Sequence, residues 1–372
     1  MLSIFCAPAR YVQGRDATQS LGAEMVKLGL EGPVFIVAGK SARRLLDATW
    51  QKTFADAGLG YSVHDFGGEC SRTEIERAKI AAQAAQAQVI VGAGGGKVLD
   101  TSRAVASELN KEAVNCPTVA SSDAPCSALS VVYSNDGGFD SYFFYKRNPD
   151  LVLVDTAVIA RAPARLLVAG MGDALATWFE AKTVIEAKKK NQLGGATTIS
   201  AGALAKLCYE TLIADGAMAL EAVKSQVVTP ALERLVEANT LLSGLGFESG
   251  GLAIAHSVHN GLTTNRYTHE YLHGEKVAFG LMTQLIAEGQ SQSLIHEVAS
   301  FCFAVGLPFT LAQLGIKKLT DEGLMQIAQR ACAPGETAHN EPFEVTPQLI
   351  ADAIIAADRL GQSFLANKRS ER

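Results

Sequence analysis

The chain has 372 residues, 48% of them hydrophobic and 19% charged, with a formal net charge of −5. That length exceeds what one core organises and predicts two domains. The acidic balance argues against a nucleic-acid surface, and no apolar run approaches the roughly 18 residues of a membrane span. The seven cysteines are scattered and never form a C-x-x-C pair, so they read as reduced, mostly buried thiols and not as a disulfide frame. Met1–Arg10 has no basic region ahead of its short apolar stretch, and no secretory signal is expected. The expectation is a soluble cytoplasmic enzyme.

Through about residue 160, strand and helix signals alternate. Val34–Val37 is a short β-branched and aromatic run. A helical pattern begins at Arg43, Arg44, Leu45 and Leu46 and continues through Trp50 and Phe54 until Gly58-Leu59-Gly60 stops it. A strand follows at Tyr61–Phe66, a helix from about Arg72 to Ala87, and a buried strand at Gln88–Gly92 that runs straight into glycines. Further strand signals lie at Cys116–Ala120, Ser130–Tyr133 and Leu151–Asp155. Strands alternating with helices of this length predict a parallel sheet covered by helices. From Ala162-Pro163 onward, Ala, Leu, Glu, Lys and Gln recur at helical spacing. The expected division is therefore an α/β domain over 1–162 and an all-helical domain over 163–372.

Three segments carry chemistry. Gly92-Ala93-Gly94-Gly95-Gly96-Lys97-Val98-Leu99-Asp100 lies between a strand and a helix, where glycines let backbone N–H groups approach a pyrophosphate at the positive end of a helix. It matches neither a Walker A loop nor G-x-G-x-x-G, and a plain tight turn is the alternative. Thr118–Ser127 packs hydroxyls and the Asp123 carboxylate into a strand-end loop, the place where open α/β sheets bind ligands; a run of turn-forming residues capping a helix is the other reading. Third, His256 and His273 stand 17 positions apart across the turn-prone Thr263-Thr264-Asn265-Arg266. Two helices joined by a loop would bring both imidazoles to one point, with Asp173 upstream as an acidic partner. Two imidazoles and one carboxylate make a three-ligand divalent-metal site with an open position, which suits Lewis-acid chemistry. His259 shares the helix face of His256, as a group standing behind the metal ligands, as a substrate-facing group or as a buried, hydrogen-bonded histidine.

Taken together, these segments resemble the glycerol dehydrogenases of the metal-dependent (group III, iron-type) alcohol dehydrogenase superfamily. The matching stretches are Gly94–Lys97 with Asp100-Thr101, Ala120–Tyr133, Gly172–Trp178, Pro230–Glu233, Ser243–Leu252, His256–Gly261 and His273–Gly280. The likeness runs from Tyr11 to Asn340, nearly the whole chain. It implies a dehydroquinate synthase-like architecture, a Rossmann-like N-terminal domain and an all-α C-terminal domain with the active site in the cleft between them. It implies metal ligands at Asp173, His256 and His273, with zinc in this branch and iron in relatives. Pyrophosphate contacts would fall on Gly94, Gly95, Gly96, Lys97 and Asp100, while Thr118, Ser121, Ser127, Leu129 and Tyr133 would surround the rest of an NAD molecule. Asp123 would be the carboxylate that contacts substrate. Apart from the resemblance, no conventional side-chain base stands out in the sequence, and water or His259 is the expected exit for the substrate proton. The implied reaction is reversible oxidation of glycerol, or a related small polyol, to dihydroxyacetone by a homo-oligomer, often an octamer in this family.

One departure bears on the cofactor. Where the family carries an acidic residue for the adenosine ribose, this chain has Gly39, followed by Lys40, Arg43 and Arg44. Losing that carboxylate removes a ribose acceptor and the charge that repels a 2′-phosphate, so NADP use is expected beside NAD. An NADP-linked reductase of a hydroxycarbonyl or ketoacid compound is the alternative reading. A lyase of the dehydroquinate-synthase type would need a basic cluster near the metal, and the segments around Asp173 and His256 offer hardly any Lys or Arg.

Overall fold

The computed structural model describes residues 1–135 and 137–370 and divides into two compact units. One comprises Cys6–Leu167 and Glu221–Gly244; the other comprises Met1–Phe5, Val168–Leu220 and Leu245–Arg372. Its strands are β1 (Tyr11–Gly14), β2 (Val34–Ala38), β3 (Tyr61–Asp65), β4 (Val89–Gly94), β5 (Glu112–Pro117), β6 (Leu129–Tyr133), β7 (Phe139–Phe144) and β8 (Leu151–Asp155). Helices α1 (Leu21–Lys27), α2 (Lys40–Asp56), α3 (Arg72–Ala84), α4 (Gly96–Leu109) and α5 (Thr156–Ala160) lie among them. Then come α6 (Ala164–Glu186), α7 (Ile199–Lys224), α8 (Pro230–Glu237), α9 (Ser243–Gly250), α10 (Ile254–Leu262), α11 (His273–Ala287), α12 (Gln292–Val305), α13 (Asp321–Ala331) and α14 (Pro347–Ser370).

The α/β unit is built on a six-stranded sheet of order β1-β8-β5-β4-β2-β3, parallel throughout. β2, β4 and β8 are buried at every position, as expected of strands covered on both faces. Their alternation feeds two cores. Val34, Ile36 and Ala38 pack with Leu21, Met25, Trp50 and Phe54 on one face, whereas Phe35 and Val37 pack with Ile75, Ala78 and Val105 on the other. Each of the larger side chains contributes on the order of 1.5–3 kcal/mol by leaving water.

The chain runs outward from β2 to β3 and then returns to the far side of β2 as β4. The strand order therefore reverses between β2 and β4, and the crevice at their carboxyl ends is where such sheets bind ligands. The Gly39 N–H donates to the Ala93 carbonyl there at 3.0 Å.

Two strand expectations shift. β5 lies four residues upstream of its expected start, because polar Glu112 and Asn115 belong to the strand; Asn115 is fully buried and its Nδ2 donates to the Pro125 carbonyl at 2.8 Å. β6 forms where expected but pairs antiparallel with β7, as a separate ribbon outside the parallel sheet. The helical segment Glu221–Gly244 packs with the sheet: the Gln13 side chain donates to the Glu233 carbonyl, and Asn239 donates to the Ala120 and Leu167 carbonyls.

The other unit is helical. Its helices approach one another through glycine. A Cβ on Gly274 would stand 1.8 Å from the Ala169 carbonyl oxygen, and one on Gly172 would stand 2.3 Å from the Gly274 carbonyl oxygen. A Cβ on Gly280 would stand 2.2 Å from the Ala255 carbonyl oxygen. α6, α10 and α11 thus meet backbone against backbone, and each contact adjoins a residue expected to bind metal.

Candidate metal and nucleotide sites

Asp173 sits on α6, immediately after Gly172, and is fully buried. His256 lies in the first turn of α10, and His273 is the first residue of α11. Glu275 reaches back from that turn, its Oε2 accepting the Leu272 N–H at 2.7 Å, which fixes the start of the helix. The Asp173 Oδ1 lies 3.1 Å from the His273 Nε2 and 3.4 Å from the His256 Nε2. One ligand atom from each residue falls within 4.8 Å of the other two. The expected trio is assembled inside one unit, and 40% exposure of the His273 side chain leaves the group accessible.

Charge supports this arrangement. Burial opposes ionisation of Asp173, but the neighbouring imidazoles outweigh it and hold the carboxyl well below the usual range. Burial likewise disfavours a charged His256, yet Glu180 and Asp173 raise its proton affinity well above that of free histidine. Asp173 is therefore held ionised and ready to ligate, while His256 must release a proton to a divalent cation, so binding there is pH-dependent.

Behind the trio stands a residue that the sequence did not disclose. Glu180, on α6 and fully buried, takes the Nδ1–H of His256 on its Oε2 at 2.6 Å. Its Oε1 accepts the backbone N–H groups of Ala253 at 2.9 Å and His256 at 3.0 Å. A carboxylate on Nδ1 fixes the tautomer and leaves the Nε2 lone pair for a metal. The only sequence signal was the spacing of seven from Asp173, two turns along one helix face. His259 packs beside the other histidine, its Nε2 3.0 Å from the His273 Nδ1. His269 is instead exposed, with its Nε2 3.1 Å from the Thr263 carbonyl oxygen.

An N,N,O donor set with accessible space fits zinc or iron(II).

In the α/β unit the glycine run forms the expected strand–turn–helix. β4 ends at Gly94, Gly95 is the N-cap, and α4 begins at Gly96. Gly95 has no side chain to cap α4; its carbonyl accepts the Val98 N–H at 2.9 Å, and an uncapped helix start of this kind suits an anion. A Cβ at Gly94 would press within 2.6 Å of Val98, so the close turn requires glycine. Lys97 extends over the Tyr133 ring at 5.1 Å, and its Nζ pairs with the Glu69 Oε2 at 2.6 Å. Asp100 is buried and pairs with Arg103, while its Oδ2 accepts the Val131 N–H at 3.3 Å. Arg103 also donates to the Ala124 carbonyl, so this pair ties α4 to the loop and ribbon beyond it.

The Thr118 N–H donates to the Gly94 carbonyl at 3.0 Å. Ser121 is half-buried in the loop that follows. Ser127, almost fully buried, donates its Oγ to the Ala124 carbonyl at 3.4 Å. Leu129 and Tyr133 begin and end β6. Asp123 precedes the turn Ala124–Cys126, and its Oδ2 accepts from the Ser243 Oγ at 3.3 Å. Gly39 caps α2 in ordinary extended geometry, and Arg43 in the next turn pairs with Asp65 at 2.6 Å.

A parallel sheet with a glycine turn at its switch point, together with an accessible two-histidine, one-carboxylate group, defines a metal- and nucleotide-dependent enzyme class. The profile of the iron-containing alcohol dehydrogenase family matches residues 8–156. A glycerol dehydrogenase of Pseudomonas putida is 50% identical over 96% of this chain and 98% of its own. A glycolaldehyde reductase of Halobacterium salinarum is 48% identical over 97% of this chain and 99% of its own. The crystal structure of glycerol dehydrogenase from Schizosaccharomyces pombe superposes with a TM-score of 0.93 at 38% identity, covering 98% of this chain and 93% of that one. The chain belongs to the iron-containing alcohol dehydrogenase family. It is an oxidoreductase that works with a metal and a nicotinamide cofactor.

Proposed function

We propose that this chain oxidises glycerol, or a related vicinal diol, reversibly to dihydroxyacetone, with NAD as hydride acceptor and zinc as the metal. The observation that carries the reading is the Asp173–His256–His273 group, with donor atoms within 4.8 Å of one another and one face accessible, in a chain half identical to a glycerol dehydrogenase over nearly its full length. A divalent cation held there supplies a Lewis acid for an alcohol oxygen, and the nicotinamide supplies the hydride acceptor.

The protein's own part is placement. Asp173, His256 and His273 set the cation's position, and Glu180 orients His256. Gly94, Gly95, Gly96 and Lys97 receive the pyrophosphate at the start of α4. Asp100 acts at one remove, by holding Val131 and Arg103. Thr118, Ser121, Ser127, Leu129 and Tyr133 line the rest of the dinucleotide. Asp123 accepts a hydrogen bond from a substrate hydroxyl and selects polyols over simple alcohols, while the proton leaves through water. Gly39, with Lys40, Arg43 and Arg44, admits a 2′-phosphate and makes NADP a second acceptor. The enzyme is cytoplasmic and works as a homo-oligomer, an octamer in the reading favoured here.

The relative named glycolaldehyde reductase favours one second reading: reduction of a short hydroxyaldehyde at the same site. Steady-state rates with glycerol, 1,2-propanediol, dihydroxyacetone and glycolaldehyde, each with NAD(H) and NADP(H), separate the two. Highest kcat/KM for glycerol with NAD supports the first reading, and highest kcat/KM for glycolaldehyde replaces it with the second.

A further inference from the structure

The polar residues behind His273 continue well past His259. The His259 Nδ1 lies 3.1 Å from the Asn260 Oδ1, and the Asn260 Nδ2 donates to the Glu336 Oε2 at 3.0 Å. Glu336 in turn pairs through its Oε1 with Arg330 at the end of α13. His259 and Asn260 lie on α10, and Glu336 lies beyond α13. The row begins at the His273 Nδ1, which is 3.0 Å from the His259 Nε2.

Hydrogen-bond chemistry gives this row one direction. Once the His273 Nε2 lone pair is committed to a cation, its proton must reside on Nδ1. Nδ1–H then donates to the His259 Nε2, so the His259 proton resides on its own Nδ1. That proton is donated to the Asn260 Oδ1, which leaves the Asn260 amide to donate to the Glu336 carboxylate. Each link satisfies the next, and the last acceptor carries a negative charge held by Arg330. The His256 side has a shorter version of the same device, because Glu180 contacts its Nδ1 directly.

We propose that His259, Asn260 and Glu336 form a one-way hydrogen-bonded strut that fixes the tautomer and ring orientation of His273 and strengthens it as a metal ligand. His259 is thereby a positioning residue, with both ring nitrogens engaged, and not a carrier of the substrate proton. The inference rests on the reading that Asp173, His256 and His273 hold the metal.

The test is zinc affinity of the full-length apo-protein, measured by competition with a chromophoric chelator, alongside apo-protein melting and steady-state kinetics. Asn260→Ala breaks the strut and should weaken zinc binding 10–100-fold, the usual consequence of removing a partner behind a metal-bound histidine. It should lower kcat with the KM for NAD unchanged and leave the apo-protein melting temperature within a few degrees. Combining Asn260→Asp with Glu336→Gln exchanges amide and carboxylate: the His259 Nδ1–H still donates to position 260, the last link reverses so that the amide at 336 donates to the carboxylate at 260, and the charge moves one link nearer the metal. That double variant should bind zinc within about threefold of wild type, a rescue that a merely structural role would not produce.

Asp173→Asn distinguishes the two levels of the argument. If it abolishes tight zinc binding while Asn260→Ala leaves affinity within twofold of wild type, the strut is overturned and the metal site stands. Failure of the double variant to recover affinity lost in Asn260→Ala also overturns the strut. If Asp173→Asn binds zinc like wild type, the reading on which the strut rests is overturned instead.

Discussion

Replacing Gly274 by alanine tests whether backbone contact between helices sets the metal site. The new Cβ would lie 1.8 Å from the Ala169 carbonyl oxygen, and 2.8 Å from both the Ala169 carbonyl carbon and the Asp173 nitrogen. All three are backbone atoms, so no rotamer change relieves the clash. Restoring an ordinary contact of about 3.4 Å requires α6 and α11 to part by about 1.6 Å. His273 adjoins Gly274, and its Nε2 is 3.1 Å from the Asp173 Oδ1, so the ligands separate with the helices. Metal–ligand distances tolerate only about 0.2 Å. The expected outcome is at least ~100-fold weaker zinc binding, with a stability loss at or above the ~3 kcal/mol upper end for overpacked cores. Chelator competition and denaturant unfolding measure the two effects. Gly60→Ala is the control, since nothing lies within 4 Å of a Cβ there. A Gly274→Ala protein with wild-type zinc affinity and stability would refute the reasoning.

Three further predictions follow from individual residues. Glu341 is 2% exposed; burial, with the nearby charges of Glu288 and Glu180, pushes its carboxyl up to about 9. The folded state then holds a proton that the unfolded chain releases near the ordinary glutamate value, so stability falls as pH rises through this window, by up to ~1.4 kcal/mol per unit. Glu341→Gln should flatten that slope and stabilise the protein most near pH 8–9; parallel slopes in urea unfolding would contradict this. Glu180→Ala should weaken zinc binding 10–100-fold, in the range for a lost partner of a metal-bound histidine, and unchanged affinity would remove Glu180 from the account. A Cβ at Gly39 meets only ordinary contacts, the nearest at 3.6 Å to Val98. Gly39→Asp should therefore fold normally, gain a few tenths of a kcal/mol at the α2 N-cap, and lower kcat/KM for NADP at least ~10-fold relative to NAD through charge repulsion. An unaltered NADP-to-NAD ratio would show that Gly39 does not set cofactor choice.

The legible parts of the sequence are those in which local pattern and final environment coincide. β2, β4 and β8 are apolar runs buried on both faces, and Asp173, His256 and His273 are distinctive residue types, the two histidines flanking a turn-prone loop. β1 was not legible, because its four residues are only half-buried and include polar Gln13. β7 was hidden for a similar reason: it lies in a two-stranded ribbon and leaves Tyr142 and Phe144 exposed. Nothing in composition marks Glu221–Gly244 as packing with the sheet; its contacts come from residues more than 70 positions away, such as Gln13 and Ala120. Glu180, Asn260 and Glu336 escaped notice because each acquires its role through a distant partner. Glu180 meets His256 across 76 positions, and Asn260 meets Glu336 across another 76. Only folding brings them together.

The most direct test of the central claim is NADH formation from glycerol by the zinc-loaded protein, by the same protein stripped with a chelator, and by Asp173→Asn. Turnover is expected in the first, its loss in the second with recovery on adding zinc or iron(II), and none in the third. Undiminished turnover after stripping, or in Asp173→Asn, would contradict a reaction that depends on a metal held by Asp173, His256 and His273.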